Sequence, residues 1–440
     1  MDTTSFVERI NQKKATIGVV GLGYVGLPLV FAFARRQFRV IGIDIDAEKI
    51  RTLQKGQSYI RHIPALEIKK HVDAGRFVPT EDFAKAAECD ALLICVPTPL
   101  GLHREPDMSF IENTGRSLAP HLKKNQLVVL ESTTYPGTTD ELLRDILEKG
   151  STLTAGKDFF LAFSPEREDP GNPNFDTQRI PKVVGGLTPA CSEVAVALYR
   201  AALDKVVPVS STRVAEMTKL LENIFRSVNI ALVNEMKMVC ERMGIDIWEV
   251  IAAASTKPFG YMPFFPGPGL GGHCIPIDPF YLTWKAHEYE MSTHFIELAG
   301  EINTRMPAYV VERTIEALSR RGKALHGAQV LVLGAAYKKD IDDLRESPAL
   351  HIIDLLIARG ANVQYHDPFV PHIAALHGFV HALDSVALSD ANVRAADAVL
   401  IVTDHSSIDY AALVKNAALV IDTRNATKNV TAGREKIVKA

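Results

Sequence analysis

The chain reads as α/β, with two Rossmann-like parallel-sheet domains joined by a helical central domain with a long helix. Three observations carry this. Short β-rich apolar runs alternate with helical patterns over the first 208 residues. From about Ser211 to Met243 there is neither proline nor glycine. Beyond residue 321 the alternation of strand and helix begins again. The expected domains are 1–208, 209–320 and 321–440. A chain of 440 residues, 47% hydrophobic and 23% charged, has the composition of an ordinary globular protein.

The first strand is Thr16-Ile17-Gly18-Val19-Val20. It leads into Gly21-Leu22-Gly23-Tyr24-Val25-Gly26 and then into the helical pattern Leu27, Leu29, Val30, Phe31, Phe33, Ala34. This is GxGxxG with the strand before it and the helix after it, the context a dinucleotide site requires. Gly21 permits the tight turn, Gly23 a close approach to pyrophosphate, and Gly26 helix–strand packing. A second strand, Arg39–Ile43, ends in Asp44, where a carboxylate would accept ribose hydroxyls and repel a 2′-phosphate. NAD is therefore expected rather than NADP, although Lys49 and Arg51 lie close by.

Two more segments have the strand-then-loop form. Ala91–Val96 runs into Pro97-Thr98-Pro99, and Leu127–Leu130 into Glu131-Ser132-Thr133-Thr134. Thr98, Ser132 and Thr133 are candidate cofactor contacts, or ordinary turn residues. Cys95 is read as core. Phe159–Phe163 delivers Ser164-Pro165-Glu166-Arg167; Glu166 is a candidate base, a cap or a surface residue.

The Gly- and Pro-free stretch repeats Met217, Leu220, Leu221, Ile224, Phe225 and Val228 at helical spacing. About 30 residues make roughly 45 Å of helix, enough to offer a dimer surface. Lys219 and Asn223 share one face and suit an oxyanion, or else belong to a solvated stripe. Gly244 is expected to close this helix.

Residues 267–280 read Gly-Pro-Gly-Leu-Gly-Gly-His-Cys-Ile-Pro-Ile-Asp-Pro-Phe. Such a loop lets backbone approach a ligand closely. Cys274, followed by Asp278, is either a covalent nucleophile or a buried structural thiol. In the last third, strands are expected at Ala328–Leu333, Val363–His366, Ala398–Val402 and Ala418–Ile421. The first carries no GxGxxG. Tyr337-Lys338-Lys339-Asp340, Arg345 and Arg424 fall in loops after strands, where basic groups suit phosphate. His366-Asp367 is read as capping.

A formal charge of −3 gives no basic footprint for nucleic acid or membrane. Met1–Ser5 lacks signal-peptide features, and no apolar run reaches the 18 or so residues of a membrane span. Five scattered cysteines suit a reducing cytoplasm, and no metal-ligand spacing is present.

With GLGYVG, STT, SPE, KLLEN and GGHCIPID in that order, the sequence resembles the nucleotide-diphosphate-sugar 6-dehydrogenases, which include the UDP-glucose and GDP-mannose dehydrogenases, over nearly its whole length. SPEREDPG, KPFGYMPFFPGPGLGGHCIPIDPFYLTWKA and KKDIDDLRESP are most similar to the branch that oxidises UDP-N-acetylglucosamine for surface polysaccharide, including lipopolysaccharide O-antigen. The resemblance implies an NAD-binding Rossmann domain, a helical linker carrying the dimer helix, and a UDP-binding Rossmann-like domain. It implies Cys274 as nucleophile with Asp278 as the acid beside it. Lys219 and Asn223 would contact the reacting C6 oxygen, Glu166 would activate water, and Thr133 would lie close to the reacting groups. The turn from Gly21 through Leu22, Gly23, Tyr24 and Val25 to Gly26, with Asp44, Lys49, Thr98, Ser132 and Arg345, would contact NAD. Arg167, Phe265, Gly267, Gly269, Gly271, Tyr337, Lys338 and Arg424 would contact the sugar nucleotide. A homodimer or higher homo-oligomer is expected.

Two departures lie near the sugar. Pro170 stands where some relatives have a second glutamate. Lys257-Pro258-Phe259-Gly260 stands where the UDP-glucose enzymes carry an arginine lent across the dimer. Both point away from UDP-glucose and toward a 2-acetamido sugar. The rival readings are a two-electron β-hydroxyacid dehydrogenase, which needs neither the cysteine loop nor a second α/β domain, and a non-catalytic NAD-binding scaffold.

Overall fold

The computed structural model describes residues 1–60, 63–101, 104–167, 179–272, 275–375 and 379–440. The chain forms two compact units, Met1–Glu222 with Phe280–Met291, and Asn223–Pro279 with Ser292–Ala440.

The first unit is built on an eight-stranded sheet. Its strands are β1 (Thr16–Val20), β2 (Arg39–Ile43), β3 (Phe77–Thr80), β4 (Ala91–Ile94), β5 (Leu127–Leu130), β6 (Phe160–Phe163), β7 (Lys182–Gly186) and β8 (Val206–Val209), in the order β3-β2-β1-β4-β5-β6-β7-β8. The first six are parallel. Val20 pairs with Ile43 and Ile94, and Leu130 with Ile94 and Phe163, so their carboxyl ends lie level along one edge. That edge is where a doubly wound sheet binds its ligand. β7 turns antiparallel to β6, and β8 runs parallel to β7. The sequence reading did not find these two strands. β7 ends in Gly185-Gly186 and β8 contains Pro208, residues that weaken a strand pattern; Pro208 is tolerated because β8 is the sheet edge.

Alternation decides the packing of both faces. Ile17, Val19, Val40, Leu93, Val129 and Phe160 join one core with the helix Gly26–Arg35. Val20, Ile41, Ile43, Ile94, Leu130 and Phe163 join another on the opposite face. Apolar runs without a polar face suit a parallel sheet covered on both sides.

The second unit carries a five-stranded parallel sheet, β9 (Gln329–Leu333), β10 (Asn362–His366), β13 (Ala398–Ile401), β14 (Val420–Asp422) and β15 (Ile437–Lys439), in the order β10-β9-β13-β14-β15. A short hairpin of β11 (His372–Ile373) and β12 (Leu383–Asp384) accompanies it. Leu333, His366, Ile401, Asp422 and Lys439 are in register at its carboxyl edge. The chain order reverses between β9 and β13, the switch point of this sheet.

The long helix spans Thr212–Arg242, 31 residues. Gly244, at φ +70°, ends it, and the Ile245 N–H reaches back to the Cys240 carbonyl at 2.8 Å, the closure expected of glycine just past a helix. The helix His294–Ser319 keeps Pro307 inside it. Among the described residues no helix is long and apolar enough to cross a membrane.

Candidate functional site

In the first unit, Gly21 sits at φ +90°, and a Cβ there would lie 2.5 Å from the Cys95 carbonyl oxygen. At Gly26 a Cβ would fall 1.8 Å from the Gly21 oxygen, so the helix can approach β1 only without a side chain. Gly23 differs: a Cβ there meets nothing within 4 Å. The backbone at Gly23 thus lies open to a ligand. Leu22 is buried in the core and offers only its backbone, while Tyr24 is exposed.

Asp44 is 7% exposed. It accepts the Leu22 N–H at 2.8 Å and the Asp46 N–H at 3.0 Å, with Lys49 Nζ at 3.9 Å. The carboxylate therefore shapes the glycine turn, and its remaining lone pairs suit two ribose hydroxyls. An open glycine backbone, a helix start and a buried acid beside them together fit NAD. Thr98 and Ser132 are buried and Thr133 is half-buried; Ser132 donates to the Val96 carbonyl at 2.8 Å, and the Thr98 carbonyl accepts from Tyr281 at 2.5 Å.

Glu166 follows β6 into a network that sequence reasoning did not find. Lys182, 3% exposed at the start of β7, contacts Glu166 at 3.1 Å and Glu131 at 2.5 Å, and Tyr199 donates to the other Glu131 oxygen. Burial raises the Glu131 carboxyl, against the pull of Lys182. For Lys182 burial works downward, yet Glu131 and Glu166 hold its ammonium above the ordinary lysine value. Arg167 grips Glu222 in a two-pronged ion pair at 2.5 and 3.1 Å and donates to the Pro181 carbonyl at 2.7 Å. These contacts anchor it within the first unit.

Lys219 is 7% exposed, three residues beyond Glu216 on the long helix. Glu216 is itself fully buried and accepts from Gly137 N–H at 2.8 Å, Thr139 N–H at 2.9 Å and Thr139 Oγ1 at 2.7 Å. Burial pushes its carboxyl up to about 7, against these donors. It fastens the helix start to the loop after β5.

In the second unit, Asn223 Nδ2 donates to Asp278 Oδ2 at 2.5 Å, with the two residues 3% and 1% exposed. Cys274 and Pro170 lie outside the described residues. The glycine loop is held from beneath: Gly267 N–H donates to Asn234 Oδ1 at 2.9 Å, Asn234 Nδ2 to Asn303 Oδ1 at 3.0 Å, and Asn303 Nδ2 to the Ser227 carbonyl at 3.1 Å.

The sequence alone gives these glycines to a ligand. In the structure, the space a side chain would take at Gly267 and Gly271 is filled by the protein. A Cβ at Gly267 would lie 2.5 Å from Arg424 Nη1, and one at Gly271 2.5 Å from Tyr337 Cβ; Gly269, at φ +136°, packs near Pro348. The loop thereby brings Tyr337, which follows β9, and Arg424, which follows β14, against residues 267–272. Lys338 is half-buried in the same loop as Tyr337. Arg345, expected at the cofactor, belongs to this second unit, where it pairs with Asp343 at 2.6 Å and its carbonyl accepts the Gly272 N–H. Phe265 is half-exposed and stacks on Trp248 at 5.8 Å. His366-Asp367 is read as capping, and Asp367 does tie the turn after β9: it takes the N–H groups of Ala335 and Ala336 at 2.7 and 3.0 Å.

Two Rossmann-like sheets, one bearing a dinucleotide turn, define the class, an NAD-dependent oxidoreductase. Comparison with known proteins carries this further. The UDP-glucose/GDP-mannose dehydrogenase family's NAD binding domain matches residues 15–203, its central domain 213–305 and its UDP binding domain 331–429. The chain is 38% identical over 368 residues to a UDP-N-acetyl-D-glucosamine 6-dehydrogenase of Pseudomonas aeruginosa, covering 83% of this chain and 86% of that protein. It is 36% identical over 406 residues to the UDP-N-acetyl-D-mannosamine dehydrogenase of Escherichia coli K12, covering 89% and 94%. A solved UDP-D-ManNAc dehydrogenase from Pyrococcus horikoshii superposes with a TM-score of 0.86 at 32% identity, covering 96% and 98%. The chain belongs to the UDP-glucose/GDP-mannose dehydrogenase family.

Proposed function

We propose that this protein oxidises the C6 hydroxymethyl of a UDP-sugar to the uronic acid, with UDP-N-acetyl-D-glucosamine as preferred substrate. The observation that carries the reading is the buried Asn223–Asp278 hydrogen bond, which fixes an amide of the long helix against the acid four residues past Cys274. The Gly21–Gly26 turn and Asp44 would hold NAD, one molecule of which would accept a hydride in each of two successive oxidations. The Cys274 thiolate adds to the C6 aldehyde as a thiohemiacetal, which on the second oxidation becomes a thioester. Glu166 takes a proton from the water that hydrolyses it, with Thr133 close by, while Lys219 and Asn223 hold the developing oxyanion. A tethered intermediate explains how two oxidations proceed without release of an aldehyde. Tyr337, Lys338, Arg424 and the 265–271 loop would hold the nucleotide. Arg345 and Lys49 would reach the cofactor.

Preference for a 2-acetamido sugar is supported by the relatives, which are named for N-acetylmannosamine, N-acetylglucosamine and N-acetylgalactosaminuronic acid. Selectivity among such sugars rests on only about 1–3 kcal/mol per group. A dimer is supported by Leu221, Phe225, Leu232, Met236 and Val239, exposed apolar side chains along the long helix. We assign the work to three modules, 1–208, 209–320 and 321–440, and the product to surface polysaccharide synthesis in the cytoplasm.

The test is NADH formed per sugar consumed, against UDP-GlcNAc, UDP-GalNAc, UDP-ManNAc and UDP-glucose. Two NADH per sugar, best on UDP-GlcNAc, are expected, and Cys274→Ser should make no uronic acid. One NADH per sugar, or uronic acid formed by the serine variant at near-normal rate, refutes the scheme.

A further inference from the structure

Lys237 lies on the long helix, one turn beyond Asn234, and is 4% exposed. Its Nζ makes no hydrogen bond to the described residues. The anions around it are committed elsewhere. Glu241, on the next turn, binds Tyr309 and Arg313. Asp422 accepts from Thr427 Oγ1 at 2.6 Å, from the N–H groups of Arg424, Ala426 and Thr427, and from Lys439 at 3.2 Å. The Tyr309 ring, 5.8 Å away, offers only a weak cation–π contact. A buried ammonium with three idle donors is costly to keep and calls for an acceptor from outside the fold.

The position indicates which acceptor. Asn234 holds Gly267, and Arg424 Nη1 lies where a Cβ of Gly267 would be. Lys237, Gly267 and Arg424 are thus neighbours through one asparagine, at the carboxyl end of β14. Burial lowers the Lys237 ammonium to about 7; Glu241 and Asp422 pull it up, and Arg424 and Arg313 push it down.

We propose that Lys237 is a binding residue for the sugar nucleotide, donating from the long helix to its phosphate oxygens beside Arg424. This rests on the UDP-sugar reading above. Phosphate satisfies the idle donors and restores the full charge. Between about pH 7 and 8 the free protein is partly unprotonated at this group, so binding takes up a proton there.

The test is calorimetric titration of the full-length protein with UDP at pH 6.5 to 8.5, in buffers of differing ionisation enthalpy, for wild type, Lys237→Met and Lys237→Arg. UDP's own terminal phosphate titrates in the same range for all three, so the differences between them isolate Lys237. Lys237→Met should weaken UDP roughly 10- to 100-fold. It should also take up less proton, leave NAD affinity unchanged, and melt no lower than wild type without ligand. Lys237→Arg should retain affinity but lose the extra proton uptake. Wild-type UDP affinity and proton uptake in both variants overturn the proposal. If Lys237→Met fails to fold, wild-type proton uptake in Lys237→Arg alone overturns it. Failure of the wild type itself to bind UDP refutes the UDP-sugar reading, and this proposal with it.

Discussion

Lys182 ties Glu166 to the interior of the first sheet: its ammonium lies 3.1 Å from that carboxylate and 2.5 Å from the buried Glu131. Lys182→Met leaves Glu131 uncompensated in the core. Breaking a buried pair by removing one partner costs about 3–5 kcal/mol, so the first unfolding transition in urea should move to clearly lower concentration. An unchanged transition would mean that the ion pair does not hold this region together.

Glu216 provides a pH test. Its folded carboxyl is pushed up to about 7 from an ordinary 4.5. The folded protein binds a proton that the unfolded chain gives up, so this group's stabilisation is complete below about 4.5 and is lost as pH rises through about 7. Melting temperatures from pH 5 to 8 should fall less steeply for Glu216→Gln than for wild type. Parallel curves would contradict the assignment.

Asn223 Nδ2 donates to Asp278 Oδ2 at 2.5 Å. If it also serves the oxyanion, Asn223→Ala should lower kcat by roughly 10²–10³-fold with NAD affinity intact. A variant that keeps its kcat removes Asn223 from the chemistry.

Thiol labelling separates Cys274 from the rest. Burial pushes the Cys89 thiol up to about 12; burial and then Glu131 raise Cys95 well above its ordinary 9; Cys191 and Cys240 are buried too. Iodoacetamide on the native protein at neutral pH should modify Cys274 alone, read by peptide mass spectrometry. Modification of any of the other four first would count against it as the reactive thiol.

Signals carried by adjacent residues were legible. The strand, glycine turn and helix at 16–35, Asp44 at the end of β2, and the helix closed by Gly244 all follow from local pattern. What escaped was long-range. Lys182 meets Glu131 across 51 positions and Glu216 meets Thr139 across 77, and nothing in either neighbourhood marks a partner. Lys182 also begins a strand hidden by its glycines. At 267–272 the run of glycines and proline marked a loop, but it could not show that Tyr337 and Arg424 fill the space glycine leaves.

Because Gly267 is moored through its main-chain N–H, by a relay of amides running from Asn234 to Asn303 to Ser227, the loop's path is independent of the side chains it displays. Phe265, which stacks on Trp248, can therefore be exchanged without unmooring the loop.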